Sequence, residues 1–364
     1  MRLAWVELRD FRNHAETRLD DLPDGLVVAV GPNGEGKTNL LEGISFLFFL
    51  QSPRTSSTEP IVRRDGAGAA YARGEVESES GRILIEVEIP GHGANRVQVN
   101  RSAVRRKRDL RRQVRAVYFG PDDLVIVIGD PGKRRDFLDE AIRSLWPLKE
   151  SAITAYDRAL RQRNRLLKDW EGRGAPPELE TWDATLLETG CALIRLRAAA
   201  VDALAPTAEE EYRHLANYGL ACDYAPNVAG DVLEAAFAER LTARRADELI
   251  RRSTLVGPHR DDLTLAVRDL GARAFASHGE GWAAALCLRL GLASAIEAEI
   301  RERPVVLLDD PFSALDPARQ RRVTERLRSR GQVFVSVADE AHVPAEAVRV
   351  WDVDGGAVTQ RGAV

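Results

Sequence analysis

Residues 31–38, Gly-Pro-Asn-Gly-Glu-Gly-Lys-Thr, fit the pattern GxxxxGK[ST] and constrain this chain more than any other stretch. The glycines let the backbone curl so that successive N–H groups point into one concavity, which binds phosphate oxygens. The pattern has this meaning only between a strand and a helix. Here LVVAV (26–30), a short β-branched run suited to a buried strand, precedes it, and TNLLEGISFLFFL (38–50) follows with helical character. The context argues against an accidental glycine-rich turn. Gly31, Pro32, Asn33, Gly34, Glu35 and Gly36 are then expected to line the cradle. Lys37 is expected to reach the β- and γ-phosphates of ATP, and Thr38 to offer its hydroxyl to Mg²⁺.

A second segment completes such a site. VVLLDD (305–310) is a buried strand ending in acids. Asp309 is placed to hold Mg²⁺ with Thr38, and Asp310 to orient or deprotonate the attacking water. Either acid alone could cap a turn. The following Pro-Phe-Ser313-Ala-Leu-Asp316 looks like the D-loop of ABC-type ATPases. About thirty residues upstream, Ser277-His-Gly279-Glu280-Gly281 stands before a long helix and matches the ABC signature S-x-G-[EQ]. Its serine hydroxyl and amides would make a second anion site at a helix N-terminus. One chain folds with its signature far from its own phosphate loop. Two chains set head-to-tail would bring each signature onto the other's γ-phosphate, so that ATP holds a homodimer together. The competing reading of 277–281 is a serine-capped helix and nothing more.

The expected fold class is α/β, a P-loop ABC-type ATPase head with a parallel core sheet plus an antiparallel meander, and an inserted, mostly helical lobe II. Lobe I is expected over 1–118 and 300–364, and lobe II over 119–299. Strands are expected at 2–9, across 69–99 as the meander, at 114–119, at 263–270 and at 332–339, the last closing the core. The pattern is helical from Pro121 to about Arg252, with a hairpin over about 133–215 whose limbs meet at GRGAPPE (172–178). Pro206 is expected to end or bend the second limb. Unbroken apolar runs such as Phe46–Leu50 fall far short of the ~20 residues a membrane span needs. The N-terminus lacks the apolar block of a secretory signal. Cys191, Cys222 and Cys287 have neither disulfide nor zinc spacing, so a reduced, cytoplasmic setting is expected.

Charge is informative only locally. The 364 residues carry a formal net charge of −4, which by itself speaks against a polyanionic partner. Yet between 101 and 115 lie Arg101, Arg105, Arg106, Lys107, Arg108, Arg111, Arg112 and Arg115, offset only by Asp109. Such a segment can displace counterions from DNA phosphates whatever the base sequence. It contains no aromatic residue, so backbone contact is expected rather than base stacking. A solvated loop, or one paired with acids elsewhere, is the alternative. A second basic set, Arg158, Arg161, Arg163, Arg165 and Lys168, reads as an exposed helix face.

With these motifs in place the chain resembles the RecF family of DNA recombination and replication-repair ATPases, related to SMC-type heads. The resemblance covers nearly the whole chain: FRNH (11–14), GPNGEGKTNLLEGI (31–44), SPRTS (52–56), FGPDDL (119–124), GDPGKRRDFLD (129–139), VGPHRDDL (256–263), the signature and LLDDPFSALD (307–316). It implies ATP binding with Mg²⁺, slow DNA-dependent hydrolysis, and ATP-dependent dimerisation on DNA at single-strand gaps and single/double-strand junctions. It further implies work with RecR and RecO in loading RecA, a part in the SOS response, and no membrane partner. Arg12 and Asn13 are placed beside the nucleotide by it, and Arg54 facing the phosphates. The sequence departs from the ABC pattern at three points. Asp310 stands where most such enzymes have Glu. Ser336 or Asp339 stands where a switch histidine is usual. Asp122 and Asp123 are the only stand-ins for the Q-loop glutamine. His259 within GPHRDD reads as a hydrogen-bonded structural histidine sooner than a catalytic one. Two rivals remain at this level: the motor subunit of a transporter, and an ATP-fuelled nuclease.

Overall fold

The computed structural model describes residues 1–172 and 174–361. Strands β1 (Arg2–Phe11) and β2 (His14–Leu19) form a hairpin ahead of β3 (Gly25–Val30) and helix α1 (Lys37–Phe49). β2 escapes a search for apolar alternation because two of its three inward positions, His14 and Thr17, are polar. The expected meander follows as β4 (Ala69–Ser78), β5 (Gly81–Pro90) and β6 (Arg96–Val99). The basic segment is not one open loop. It contains the short β7 (Ser102–Ala103) and α2 (Lys107–Arg111) before β8 (Ala116–Phe119).

The central stretch holds α3 (Leu124–Ile128), α4 (Pro131–Leu145), α5 (Glu150–Asp169) and α6 (Leu179–Ala216). Pro147 splits the first limb of the hairpin between α4 and α5. Pro206 does not end the second, because α6 runs on to Ala216. The proline is exposed, while its neighbours Leu204, Ala205 and Ala208 are buried. Burial of that face offsets the backbone hydrogen bond that the ring removes. The expected unbroken helical pattern to residue 252 is also corrected. β9 (Leu220–Ala225) interrupts it before α7 (Leu233–Arg251) and pairs antiparallel with β10 (Asp262–Val267). β11 (Leu270–Gly271) and α8 (Ala272–Phe275) then lead into α9 (His278–Ile300). The chain closes with β12 (Val305–Asp309), α10 (Pro317–Leu327), β13 (Gln332–Val337), β14 (Arg349–Asp354) and β15 (Ala357–Gln360).

Two six-stranded sheets organise the molecule. One is antiparallel, in the order β2-β1-β4-β5-β6-β7; the other runs β15-β14-β3-β13-β12-β8 and is parallel except for β15. β13 is therefore not the last core strand, since β14 pairs with the free side of β3. The parallel strands read as apolar runs because both faces are covered. Alternate residues divide between two cores: Val27 and Ala29 face α1 and the antiparallel sheet, while Leu26, Val28 and Val30 face the helices. The phosphate loop and the acidic end of β12 both lie at the carboxyl ends of this sheet, the side on which α/β folds bind ligands.

The helical part is pinned by ion clusters between motifs. Arg134 donates to Asp262, and Arg197 to both Asp139 and Asp261. In this way GDPGKRRD and GPHRDD meet across α4, α6 and β10. Arg163, expected on an exposed face, is fully buried and donates to Glu248, Asp183 and Thr254. Removing one partner of such a buried pair costs about 3–5 kcal/mol, because a lone charge stays behind. Arg158, Arg161, Arg165 and Lys168 are exposed.

Candidate nucleotide-binding site

The phosphate loop leaves β3 at Val30 and enters α1 at Lys37. Gly34 and Gly36 adopt φ of 92° and 119°, a region open to glycine and costly for other residues. A Cβ on Gly36 would also lie 2.7 Å from the Asn13 amide nitrogen. Gly36 occupies the N-cap position of α1 without a capping side chain, so the first helical amides are not claimed by the chain's own oxygen atoms there. The Lys37 ammonium turns onto the loop and donates to Gly31 O at 2.6 Å and Pro32 O at 2.7 Å. Burial pulls its pKa down, against the raising influence of Asp310, Asp309 and Glu35.

Asp309 is buried and receives hydroxyls from three elements. Thr38 Oγ1 donates to its Oδ1 at 2.9 Å, Ser336 Oγ to the same oxygen at 2.6 Å, and Tyr118 OH to Oδ2 at 3.3 Å. Thr38 and Asp309 thus bring two hard oxygen donors together, a set that fits Mg²⁺. Asp310 sits at φ 50° with its N–H donated to Ser336 Oγ. Burial, then the adjacent Asp309 charge, raises its carboxyl above the usual range. Ser336 is therefore committed to Asp309 and Asp310, and Asp339 accepts from Ala341 N as a cap. The histidine near Asp310 is His342, whose charge lowers the Asp310 pKa. It lies five residues beyond the end of β13, past both Ser336 and Asp339.

Arg12 and Asn13 form the turn of the β1–β2 hairpin. Asn13 donates to Glu35 O at 2.9 Å and accepts from Asn39 at 2.8 Å, so it touches the phosphate loop directly. Arg12 points elsewhere, making a two-pronged pair with the buried Glu42 of α1 at 2.7 and 2.9 Å. Arg54 shares Glu42 at 3.2 Å and also donates to Asn39 at 3.1 Å. A buried carboxylate one turn into α1 thus collects both arginines. Its sequence signal is the Glu at the end of KTNLLE, an acid amid apolar neighbours.

The Q-loop stand-ins separate. Asp123 is committed to Arg289 at 2.6 Å, while Asp122 is exposed. Both line a cavity of about 800 Å³ that runs from Thr38 and Asp309 past Arg54 and Tyr118 to His259. His259 is held between Tyr156 OH at 2.7 Å and Thr254 O at 3.0 Å, and burial lowers its pKa to about 4. That is the structural histidine expected. The signature residues 277–281 are not in the lining of this cavity. Ser277 caps α9, accepting from Glu280 N at 3.3 Å, while Glu280 accepts from Ser277 N at 2.9 Å. Tyr218 and Arg268 also donate to Glu280. The hydrogen bond from the Ser277 amide, with that from Tyr218, holds its carboxyl at about 2. Of the basic segment, Arg101, Arg105, Arg106, Lys107 and Arg112 are exposed. Arg108 is half-buried, Arg111 leans on Glu150 at 3.2 Å, and Arg115 is buried against Ser144 O. Burial lowers the Arg115 pKa to about 10.

The RecF/RecN/SMC N-terminal domain family matches residues 2–355. The DNA replication and repair protein RecF of Streptomyces avermitilis is 40% identical over 358 residues, spanning 94% of this chain and 95% of the relative. That of Frankia alni is 40% identical over 364 residues, spanning 95% and 96%. A solved structure of the recombination mediator protein RecF with ATP, in the RecFOR pathway, superposes with a TM-score of 0.87 at 28% identity, covering 99% of this chain and 97% of its own. An SMC head domain from Pyrococcus furiosus, 16% identical with a TM-score of 0.57 over 99% and 95% of the two chains, shares the fold.

Proposed function

The chain belongs to the RecF family of DNA replication and repair proteins, and on that premise we propose that it is an ATP-driven DNA clamp of recombinational repair. ATP binds residues 31–38, closes a two-fold dimer on DNA at single-strand gaps and single/double-strand junctions, and slow hydrolysis releases it. The clamp supports RecA loading with RecR and RecO, and with it the SOS response. The setting is cytoplasmic; among the described residues no helix is long and apolar enough to cross a membrane.

The observation that carries this reading is the 2.9 Å contact of Thr38 with Asp309, which joins two motifs 271 residues apart into one site. Lys37 and the α1 amides hold the phosphates. Thr38 and Asp309 would hold Mg²⁺, which would supply positive charge against the phosphates. Asp310 orients the attacking water and takes its proton. Asn13 and Arg54 border the nucleotide, and Arg12 stands behind them on Glu42. Ser277, Gly279 and Glu280, at the start of α9, meet the nucleotide of a second copy. Lobe I (1–118 and 300–364) carries the phosphate loop, and lobe II (119–299) carries the signature. Arg101, Arg105, Arg106, Lys107 and Arg112 track the DNA backbone, with Arg108 and Arg111 behind them.

Sedimentation with ATP and gapped DNA tests the clamp. Wild-type protein is expected as a dimer, and Ser277→Arg as a monomer that still binds ATP. Normal dimers in that variant overturn the cross-site arrangement.

A further inference from the structure

The back of the phosphate loop, away from the cavity, is held by a part of the chain that no motif points to. The β14–β15 turn, Gly355–Gly356, lies against Glu35, the one loop residue between Gly34 and Gly36. Gly355 N donates to Glu35 Oε2 at 2.6 Å, and Gly356 N donates to Glu35 O at 2.8 Å. The same carbonyl accepts from Asn13 Nδ2 at 2.9 Å. Beneath it, His14 Nε2 meets Gly36 O at 3.1 Å and is fully buried. Two hairpin turns therefore grip the loop from opposite ends of the chain.

The fit is close. Gly356 has φ 84°, and a Cβ there would come within 2.2 Å of Asn13 O. A Cβ on Gly31 would come within 2.2 Å of Val353 O in the same hairpin. Glu35 carries no role in phosphate contact that needs a carboxylate, and as an anion it opposes phosphate binding by charge alone. What its carboxylate does in this structure is accept from Gly355 N.

We propose that Glu35 is a positioning residue that straps the phosphate loop to the C-terminal β14–β15 hairpin, and that the Gly355–Gly356 turn is thereby part of the nucleotide site. By holding Glu35 through both its carbonyl and its carboxylate, the strap keeps neighbouring amides converged before phosphate arrives, which lowers the ordering cost of binding. The inference rests on residues 31–38 being the nucleotide site.

Glu35→Gln and Glu35→Ala separate charge from strapping, because glutamine keeps an acceptor oxygen without the charge. Titration of the full chain with a fluorescent ATP analogue should find Glu35→Gln binding at least as tightly as wild type. Glu35→Ala should bind about tenfold more weakly than Glu35→Gln, the factor one hydrogen bond can carry. Gly356→Ala should lose affinity in the same direction. Thermal melting run alongside confirms that each variant is folded, and the Glu35 pair decides the matter if Gly356→Ala does not fold. Equal affinities for Glu35→Ala and Glu35→Gln overturn the strap while leaving the site intact. Lys37→Ala binding as well as wild type overturns the site itself, and the strap with it.

Discussion

α1 and α9 both begin at positions suited to phosphate, yet they treat their first amides in opposite ways. α1 starts after Gly36, which offers no capping side chain, and its first turn holds no acid. α9 starts after Ser277, which forms a reciprocal capping box with Glu280. The four orphan amides of a helix start attract any anion, including the chain's own. At α9 two of those amides are already taken, Ser277 N by the Glu280 carboxylate and Glu280 N by the Ser277 hydroxyl, and Tyr218 and Arg268 fix that carboxylate. At α1 an incoming anion meets amides and the Lys37 ammonium. A helix N-terminus is therefore not by itself a phosphate site; what matters is whether the sequence has filled it. On the proposed reading, α1 captures the nucleotide alone, and α9 contributes only when a second copy aligns it.

The contrast can be broken most sharply at Lys37. Lys37→Ala should weaken ATP binding by about 10³-fold, the scale of losing one partner from a desolvated charge contact. Fluorescence titration reads it, and retained affinity would move the primary site away from α1. A smaller effect is expected at Asp310, where Asp310→Asn should cut turnover by about 10²-fold while ATP still binds. Because burial and Asp309 raise the Asp310 carboxyl above its ordinary 3.8, it becomes an anion only above that raised value. Wild-type turnover should accordingly climb as pH rises through it, and this acid limb should vanish in Asp310→Asn. A limb shared by both proteins would remove Asp310 from the base role.

The smallest effect is expected at the signature. Glu280→Gln should destabilise the fold by about 1 kcal/mol at neutral pH, because glutamine keeps the capping acceptor but loses the charge that strengthens the hydrogen bonds from Ser277 N, Tyr218 and Arg268. Here the sign is the reverse of Asp310. Hydrogen bonds depress the folded pKa from 4.5 to about 2, so the stabilisation is present above 4.5 and is lost as pH falls toward 2. Denaturant unfolding of wild type and variant should show the gap closing over that window. A gap of constant size across it would show that packing, rather than the ionised cap, holds the start of α9.

What reads out of the sequence is whatever rests on local chemistry. GPNGEGKT between a β-branched run and a helical stretch locates β3, the loop and α1, and VVLLDD locates β12, because these signals lie within a few residues of each other. Ser277 and Glu280 at a spacing of three announce a helix start in the same way. Arg163 shows where such reading stops. Its neighbours on α5 suggest an exposed basic face, and only Glu248 and Asp183, brought in by α7 and α6, turn it inward. Pro206 is unreadable for the same reason, since α9 packs on that stretch of α6 so closely that a Cβ on Gly291 would lie 2.7 Å from Leu204 O.

By itself, then, the sequence determined that this chain has a phosphate loop, a strand-end acid pair and a capped signature helix, since each depends on residues close along the chain. Only the tertiary structure decided that β14 flanks the phosphate-loop strand, that Tyr118 and Ser336 converge on Asp309, that Glu42 gathers Arg12 and Arg54, and that a C-terminal turn grips Glu35. Those partners range from Arg54 and Glu42, 12 residues apart, to Gly355 and Glu35, 320 residues apart, and no spacing rule links them. Strand order and the packing of two sheets around α1 bring them within hydrogen-bond distance.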